Sequence, residues 1–503
     1  MSQQLSYEDL AALVAVQARV IDELRAEVAA QAEVVAGLRL KVADLERQLG
    51  RDSTNSGQPS SKDSIAAKAR KRADLSSRER SKDRKPGGQK GREGVRLEPA
   101  EKPDRTEILA APVDCSGCGA DLADARVLGD GWAQVWDILP VVLEKVAYVL
   151  PRRRCACGCT TTARPPGGRA GTVVYGPNLN AAAVLLGSEG NVPVERAARL
   201  IGSLLGTEVS PGFVARAHAR LAEHLQAAGF DEAMKDALRA EEVLCGDESP
   251  VHVLRKDTDA FGRPLPGAPH AVTLRTPDQR LIWYVPVNAR SSQELGSLGV
   301  LTGWNGCLVR DDYNGWKQFD ATLAGVQQCA AHLIRHGKGV LATAERGEQG
   351  WAKKVIDVLR EANAAVATAR DAGLDQLDPD LLASLRERYD KAVEWGVLTN
   401  RLRDWHDGNH PGYRLARRLT DKAGQVWLFT RNFAVPWTNN ASEQALRGPK
   451  RHQAVSGYWH TPSTLRAYLR IRSYLVSARG HGIHPMNAIH RALTGTPWLP
   501  TPA

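Results

Sequence analysis

Apolar residues recur at alternating steps of three and four near the start of the chain. The series runs from Ile21 to Leu49 and is interrupted only at Gln31. In heptads, β-branched residues mostly occupy position a and leucine position d, which favours a parallel two-stranded coil. The pattern predicts a self-associating coiled coil within residues 1–50; the alternative is an amphipathic helix packed against its own chain. The heptad residues are Ile21, Leu24, Val28, Gln31, Val35, Leu38, Val42, Leu45 and Leu49.

The heptad pattern stops at Gly50, and the composition then changes. Residues 51–105 are rich in Ser, Gly, Lys and Arg and contain no aromatic side chain. Such a segment cannot bury enough apolar surface to offset the entropy lost on ordering. We expect a basic, disordered linker whose positive charge either contacts DNA phosphates or is simply solvated.

Short β-rich runs and helical patterns alternate after the linker. Residues 136–155 are predicted to form strands, because β-branched residues cluster there between turn signals. Four further β-rich runs follow residue 240, and helical patterns dominate from about residue 324. Strands first and helices later predict a sheet flanked by helices. The fold class is therefore α/β and multidomain, with a core over 240–480, a helical insertion at about 340–425 and a C-terminal helix and tail at 481–503.

A helical pair is predicted between the linker and the sheet. The first helix ends near Gly206, and the second begins after Ser210 as the N-cap residue, with a proline at its first position. This spacing predicts a helix-turn-helix in a DNA-binding region at 176–235. Basic residues such as Arg216 and Arg220 would recognise the DNA.

Composition narrows the class of protein. Hydrophobic residues make up 43% of the 503 residues, but no apolar run approaches the roughly 18 residues that cross a bilayer. The N-terminus has no signal-peptide pattern. We therefore expect a cytoplasmic protein without a membrane partner. Lys and Arg outnumber Asp and Glu by 67 to 57, and the net charge of +10 is compatible with a polyanionic partner.

Five of the eight cysteines lie close together in the sequence. In a reducing compartment such a cluster indicates metal binding rather than disulfides. The first two form a Cys-x2-Cys turn with a trailing glycine, a common half-site for tetrahedral zinc, and a Cys-Gly echo marks the second half-site. We predict a structural Zn²⁺ site in a small domain at 106–165, with buried or free thiols as the alternative. The predicted ligands are Cys115, Cys118, Cys155 and Cys157, with Cys159 left over.

Acidic residues mark a second candidate site. Asp247 ends one apolar run, and the pair Asp311 and Asp312 ends another. Carboxylates at the ends of two neighbouring strands can point into one crevice, and a third from a helix, Glu443, would complete a site for two divalent cations. The alternative is that these residues only form turns.

The order of motifs resembles the insertion-sequence 66 family of transposases, the large catalytic subunit, over nearly the whole chain. The motifs are a zipper-like start, "NSGQPSSKDS", a four-cysteine element, the helical pair, "GDES", "RDDYNGW", "CAAHLIRH" and "NNASEQALRGPKR". The resemblance implies a ribonuclease-H-like core with catalytic Asp247, Asp311 and Glu443. Asp312 stands where the family usually has glycine, which leaves the choice between the two neighbouring aspartates open. Cys329, His332 and Arg335 match supporting positions.

The last motif surrounds Glu443 with amides and cations. A phosphate that is cut beside Glu443 would lie within reach of these neighbours, which could bind the same DNA strand. The two asparagines precede the helix, where such side chains can cap the first turn or contact DNA. The alternative is that Arg447 merely pairs with Glu443 on a solvated helix. The predicted DNA-binding residues here are Asn439, Asn440, Arg447, Lys450 and Arg451.

The resemblance implies a mechanism and partners. Mg²⁺ or Mn²⁺ at the three carboxylates would support cleavage and transfer of DNA strands at the element's terminal inverted repeats and at target DNA. Pairing of two DNA ends implies a homodimer or a higher oligomer, and small accessory transposition proteins are possible partners. The expected location is the cytoplasm of a bacterium, at the nucleoid. The alternatives are a zinc-containing regulator with an inactive core and a nuclease without strand joining.

Overall fold

The computed structural model describes residues 98–137, 143–166, 171–255, 269–341, 348–403 and 409–502, and residues 16–38 apart from 18, 23 and 36. The chain divides into two compact units: residues 68–147, and residues 1–67 together with 148–503. No helix among these described residues is long and apolar enough to cross a membrane.

The described residues between 16 and 38 are helical, in agreement with the predicted helix. The five apolar heptad residues in this stretch are exposed, among them Leu24 and Val28. An apolar stripe on the surface fits a helix that pairs with another helix, but the coiled coil itself remains a prediction. Val42, Leu45, Leu49 and the linker up to residue 97 lie outside the described residues.

The prediction of strands for residues 136–155 is mostly wrong. Among the described residues of this stretch, only Arg152–Arg154 forms a strand, β1, which pairs in antiparallel fashion with β2, Thr160–Thr162. The apolar residues before it, such as Val146 and Val149, are exposed. Strand propensity depends on packing against neighbours, and these side chains have no core to pack against.

The predicted helical pair is confirmed as a local structure. Helices α1 (Pro177–Ser188), α2 (Val194–Leu205), α3 (Pro211–Ala227) and α4 (Phe230–Arg239) follow one another. Gly206 ends α2 in the left-handed conformation, with φ of 63°, which glycine adopts at no steric cost. Ser210 Oγ accepts a hydrogen bond from the Phe213 N–H at 3.2 Å, so the N-cap that starts α3 forms as predicted.

A five-stranded mixed sheet forms the centre of the larger unit, and its first four strands fall on the four predicted β-rich runs. The spatial order is β5-β4-β3-β6-β7. Strands β3, β4 and β5 are antiparallel to one another, whereas β6 and β7 run parallel to β3. The strands are β3 (Val243–Pro250), β4 (His270–Arg275), β5 (Ile282–Val287), β6 (Cys307–Arg310) and β7 (Gly325–Gln328).

Helices surround this sheet, and a group of them builds a second core. The buried side chains of α7, α8 and α9 pack together around Trp351, Tyr389 and Trp427, apart from the core beneath β3 and β4. Helices therefore occupy the stretch where the insertion was predicted. The helices are α5 (Ser292–Ser297), α6 (Ala330–Leu341), α7 (Gly350–Asp371), α8 (Pro379–Asn400), α9 (Pro411–Asp421), α10 (Ala423–Val426), α11 (Asn440–Ser456), α12 (Pro462–Gly480) and α13 (Pro485–Leu493), with short 3-10 helices at Asn314–Phe319 and Leu428–Thr430.

Helix α12 covers the edge strand β5. Serine hydroxyls of α12 accept hydrogen bonds from the backbone of β5. Ser477 accepts from the Ile282 N–H at 3.0 Å, and Ser473 accepts from the Tyr284 N–H at 2.7 Å. An uncovered edge strand presents unpaired N–H groups to other chains. The two serines therefore provide acceptors for two backbone N–H groups of the edge strand and hold α12 on the sheet.

The surroundings of His452 in α11 predict that the stability depends on pH. Its ring packs against the rings of Trp459 and Tyr468, and burial, followed by the charges of His218 and Arg472, lowers its pKa to about 4. The unfolded chain, with an ordinary pKa near ~6.5, takes up a proton in this window that the folded chain does not, so stability falls as pH falls from ~6.5 to ~4. We expect His452→Phe to flatten this decline, measured by urea unfolding at a series of pH values. Exposed His460→Phe is the control, and equal slopes in His452→Phe and wild type would contradict the prediction.

Candidate active site

The sheet brings two of the predicted carboxylates to the same level. Strands β3 and β6 run parallel with Cys245 opposite Val309. Two residues further along, this register places Asp247 opposite Asp311, and neighbouring strands lie roughly 4.8 Å apart. Asp247 does not end its strand as predicted, because β3 continues to Pro250 through its pairing with β4. The shared level nevertheless follows from the parallel register.

The two neighbouring aspartates face different partners. Asp311 Oδ1 accepts a hydrogen bond from the Tyr313 N–H at 2.9 Å, and the Asp311 charge acts on Asp247. Asp312 instead accepts a hydrogen bond from Lys422 at 2.8 Å. Burial raises the pKa of Asp312, but this hydrogen bond and the charges of Arg418 and Lys422 outweigh it, so the pKa is lowered. The geometry thus groups Asp311, and not Asp312, with Asp247.

Glu443 reaches the same place from the first turn of α11, and Asn439 anchors that turn. The buried Asn439 donates from Nδ2 to the Gly246 carbonyl at 2.7 Å, directly before Asp247. Its backbone N–H donates to Cys329 Sγ at 3.1 Å. The predicted capping role is wrong for Asn439, since its side chain makes no capping hydrogen bond. The residue instead ties the helix start to β3.

Burial and repulsion among carboxylates both disfavour negative charge here. We name Asp247, Asp311 and Glu443 the carboxylate cluster. Burial raises the pKa of Asp247 well above its usual range, and the charges of Glu248, Asp311 and Glu443 raise it further. Like charges disfavour one another's ionisation when they share a site. The cluster is therefore short of positive charge.

Two residues of α6 lie beside Glu443. Its Oε1 is 3.4 Å from His332 Nε2 and 3.9 Å from Arg335. Burial lowers the pKa of His332 despite the nearby Glu443 charge, so its ring is neutral at neutral pH. Within the described chain, Glu443 Oε1 is buried and has no hydrogen-bond partner. Cys329, at the start of α6, is buried, and burial raises the pKa of its thiol to about 12, which suits packing rather than reaction.

Glu248 belongs to this region and was missed from the sequence. Its side chain accepts from Arg290 at 2.6 Å and from Trp316 Nε1 at 2.7 Å. The Arg290 guanidinium stacks on the ring of Tyr313, 3.5 Å from its centroid. Burial, followed by the Asp311 charge, raises the pKa of Glu248 to about 7. The sequence signal that could have found Glu248 is a carboxylate within an apolar run, because a buried charge without a partner costs too much free energy.

The carboxylate cluster fits a divalent cation chemically. It offers only oxygen donors, which Mg²⁺ prefers, and it contains a raised pKa at Asp247 and an orphaned oxygen at Glu443. Both features are relieved by positive charge. Among the residues that the structure describes, no group of three or more His, Cys, Asp or Glu side chains is arranged to hold a metal ion as it stands.

Comparison with models of protein families shows the family to which the chain belongs. The sequence model of the transposase IS66 family matches residues 172–467, a range that contains the whole carboxylate cluster. The chain belongs to the IS66 family of transposases. A second sequence model, of a family of unknown function, matches residues 14–98.

Other comparisons add little to the IS66 assignment. No curated protein matches the chain. Among solved structures, a chain of the Drosophila P element transposase strand transfer complex aligns with 59% of this chain and 91% of its own length. The identity is 12% and the TM-score is 0.31. A similarity of this size carries no weight for fold or function.

The IS66 match also includes the predicted DNA-binding residues, which the structure places differently. Asn440, Arg447, Lys450 and Arg451 are exposed on α11, whereas Asn439 is buried. On α3, Arg216 is exposed. Arg220 is half-buried, hydrogen bonds to Asn180 Oδ1 and lies 5.9 Å from the Phe213 ring centroid. The geometry therefore leaves Arg216 freer than Arg220 to contact a ligand.

The cysteine half-sites lie outside the IS66 match, in separate units of the chain. In the first turn, N–H groups of Gly117 and Cys118 lower the pKa of Cys115. In the second, the Cys159 N–H and the neighbouring thiols lower the pKa of Cys157. The glycines of the echo, Gly119 and Gly158, both have positive φ, of 73° and 86°. Zinc binding by Cys115, Cys118, Cys155 and Cys157 remains a prediction.

Proposed function

We propose that the protein is a DNA transposase that binds the terminal inverted repeats of its element and catalyses metal-dependent cleavage and transfer of DNA strands. The observation that carries this proposal is the carboxylate cluster: two adjacent strands and one helix converge within the part of the chain that matches the IS66 family. The mixed sheet, with three antiparallel strands followed by two parallel ones, supports a ribonuclease-H-like core.

Asp247, Asp311 and Glu443 would hold the Mg²⁺ or Mn²⁺ ions. Bound divalent ions supply a Lewis acid that activates an attacking oxygen and stabilises the leaving oxygen at a phosphate. The chain's own task is to hold the three carboxylates in place. The Tyr313 N–H holds Asp311, and Asn439 fixes the start of α11 on β3.

Residues around Glu443 would position it and the DNA strand. His332 and Arg335 approach its Oε1, so they limit the orientation of the carboxylate. The exposed cations Arg447, Lys450 and Arg451 follow on the same helix, where they can bind phosphates next to the cut. Binding of DNA phosphates would account for the exposure of these three cations, whereas an ion pair with Glu443 would not.

The remaining parts of the chain would assemble the DNA ends. Arg216 on the exposed side of α3 would contact the terminal repeats. Zn²⁺ bound by the cysteines would fold the small domain. The N-terminal coiled coil would pair two copies so that two DNA ends meet, with accessory transposition proteins and target DNA as further partners.

A strand cleavage and joining assay tests this function. Linear DNA carrying the repeats that flank the gene is incubated with Mg²⁺ or Mn²⁺ and either wild type, Glu443→Gln or the exposed control Glu394→Gln. We expect wild type and the control to cut and join, and Glu443→Gln to bind the repeats without cutting. Loss of one ligand removes several kcal/mol of transition-state stabilisation, or at least about 10³-fold in rate.

Two results would contradict the proposal in different ways. Hydrolysis by wild type without any joining would indicate a nuclease. Equal binding by all three proteins and no cutting, even with the accessory proteins added, would indicate a DNA-binding regulator with an inactive core.

A further inference from the structure

A basic groove lies beside the carboxylate cluster and has no role in the function proposed so far. It has a volume of about 360 Å³ and lies between the end of β6, the 3-10 helix that follows it, and α9 of the helical insertion. Two carboxylates and five cations line it, which gives a net charge of +3. The cations are Lys317, Arg414, Arg417, Arg418 and Lys422.

Several of these cations are held in place before any ligand arrives. Asp312 accepts from Lys422 at 2.8 Å and from Arg418 at 3.4 Å. Arg418 also donates to His336 Nδ1 at 2.6 Å. Burial, followed by the Arg418 charge, lowers the pKa of His336 to about 3, so the ring is a neutral acceptor. A preorganised cation binds a phosphate with a smaller loss of side-chain entropy.

Positive charge nevertheless exceeds what the groove's own carboxylates neutralise. Asp312 faces three cations, Lys317 among them at 3.6 Å. Asp421 lies 3.0 Å from Arg417. Arg414 is exposed at the same surface. A concave site with one sign of charge concentrates ions of the opposite sign.

The location of the groove indicates its ligand. Asp312 directly follows Asp311 of the carboxylate cluster, and consecutive Cα atoms lie about 3.8 Å apart. A DNA strand with one phosphate at the cluster continues in both directions, and its next phosphates are roughly 3.4 Å further along the helix axis each. The groove is therefore near enough to receive phosphates close to the cut.

We propose that this groove binds the phosphates of the DNA strand directly next to the cleaved bond, through Arg414, Arg417, Arg418 and Lys422. The proposal rests on the proposed function, and it makes the helical insertion part of the DNA-binding surface. The groove adds to the cations of α11 and uses different residues. Because it would bind phosphate groups, it holds the strand without reading the base sequence.

Binding measurements with the full-length protein test the groove. Arg414→Ala/Arg417→Ala is compared with Lys353→Ala/Lys391→Ala, which removes the same charge from exposed sites of the same insertion, away from the groove. Fluorescence anisotropy with terminal-repeat duplexes is recorded over a range of salt concentrations. We expect the groove variant to bind about tenfold or more weakly and its salt slope to fall by about 2, because each of the two removed cations neutralises one phosphate in wild type. The control should match wild type.

Phosphate ethylation interference gives the position of the bound phosphates. In wild type, ethylation of phosphates next to the cut should impair binding, and the groove variant should lose this sensitivity. Equal affinity and salt slope in the groove variant and the control would overturn the proposal, as would interference changes only at distant phosphates. These results are independent of the Glu443→Gln assay: wild type that cuts normally while the groove variant binds normally refutes the groove alone, whereas wild type that never cuts refutes the function.

Discussion

Asp311→Asn is expected to reduce strand cleavage by at least about 10³-fold, whereas Asp312→Asn should stay within about tenfold of wild type. Asp311 lies level with Asp247 and acts on it electrostatically. Asp312 is directed toward Lys422 and Arg418, away from that role. The two variants carry the same chemical change at neighbouring positions, so each serves as the control for the other. Initial rates of cleavage of repeat-end DNA measure the difference.

The reverse ranking would refute the assignment of Asp311 to the carboxylate cluster. Asp312→Asn also removes a negative charge from the basic groove, so it should bind DNA at least as tightly as wild type. Equal loss of cleavage in both variants with normal DNA binding would mean that both aspartates serve the cut phosphate. Thermal unfolding of both variants establishes that the comparison is between folded proteins.

Asp320→Ala is expected to lower the free energy of unfolding by about 3–5 kcal/mol, because it leaves a buried cation without its partner. The Arg310 side chain is 0% exposed, and its Nη2 donates to both Asp320 carboxylate oxygens, at 2.6 and 2.7 Å. Nη1 of Arg310 donates to the Asp311 carbonyl at 2.6 Å, so the same arginine also supports the backbone of the carboxylate cluster. Urea unfolding followed by tryptophan fluorescence measures the loss.

Asp390→Ala is the matched control for this stability prediction. Asp390 pairs with Arg386 one turn away on α8, where both side chains are substantially exposed. Exposed pairs contribute about 0.2–1 kcal/mol, so the control should lose far less stability. Losses of similar size in the two variants would show that burial of Arg310 does not govern the effect.

Local sequence patterns were sufficient to predict elements whose conformation depends on only a few neighbouring residues. Gly206 and Ser210 mark the turn before α3, and both act as predicted, since left-handed backbone and N-capping depend on the residue and its immediate neighbours. The four β-rich runs are strands for a related reason, because every residue in them is buried or half-buried. The stretch before Arg152 had similar residues but no core, and there the prediction was wrong.

Roles that depend on distant partners could not be assigned from the pattern. Asn439 looked like a capping or DNA-binding residue, yet its partners are the carbonyl of Gly246 and the thiol of Cys329, both more than one hundred residues away. Glu248 looked like an ordinary neighbour of Asp247, but Arg290 and Trp316 hold it. The basic groove combines the end of β6 with α9, which no short motif joins.

The sequence by itself determined where the sheet begins, where the turn between the paired helices lies, and the family to which the chain belongs. It also named Asp247, Glu443 and one of two neighbouring aspartates as candidate catalytic carboxylates, which remains a prediction. Only the tertiary structure decided that Asp311 rather than Asp312 joins Asp247, and that Asn439 is an internal anchor. The physical reason is that residue type and spacing fix local hydrogen bonds and buried faces, whereas strand register and helix packing bring distant groups together. The pKa of Asp247 and the charge of the groove arise only from that convergence.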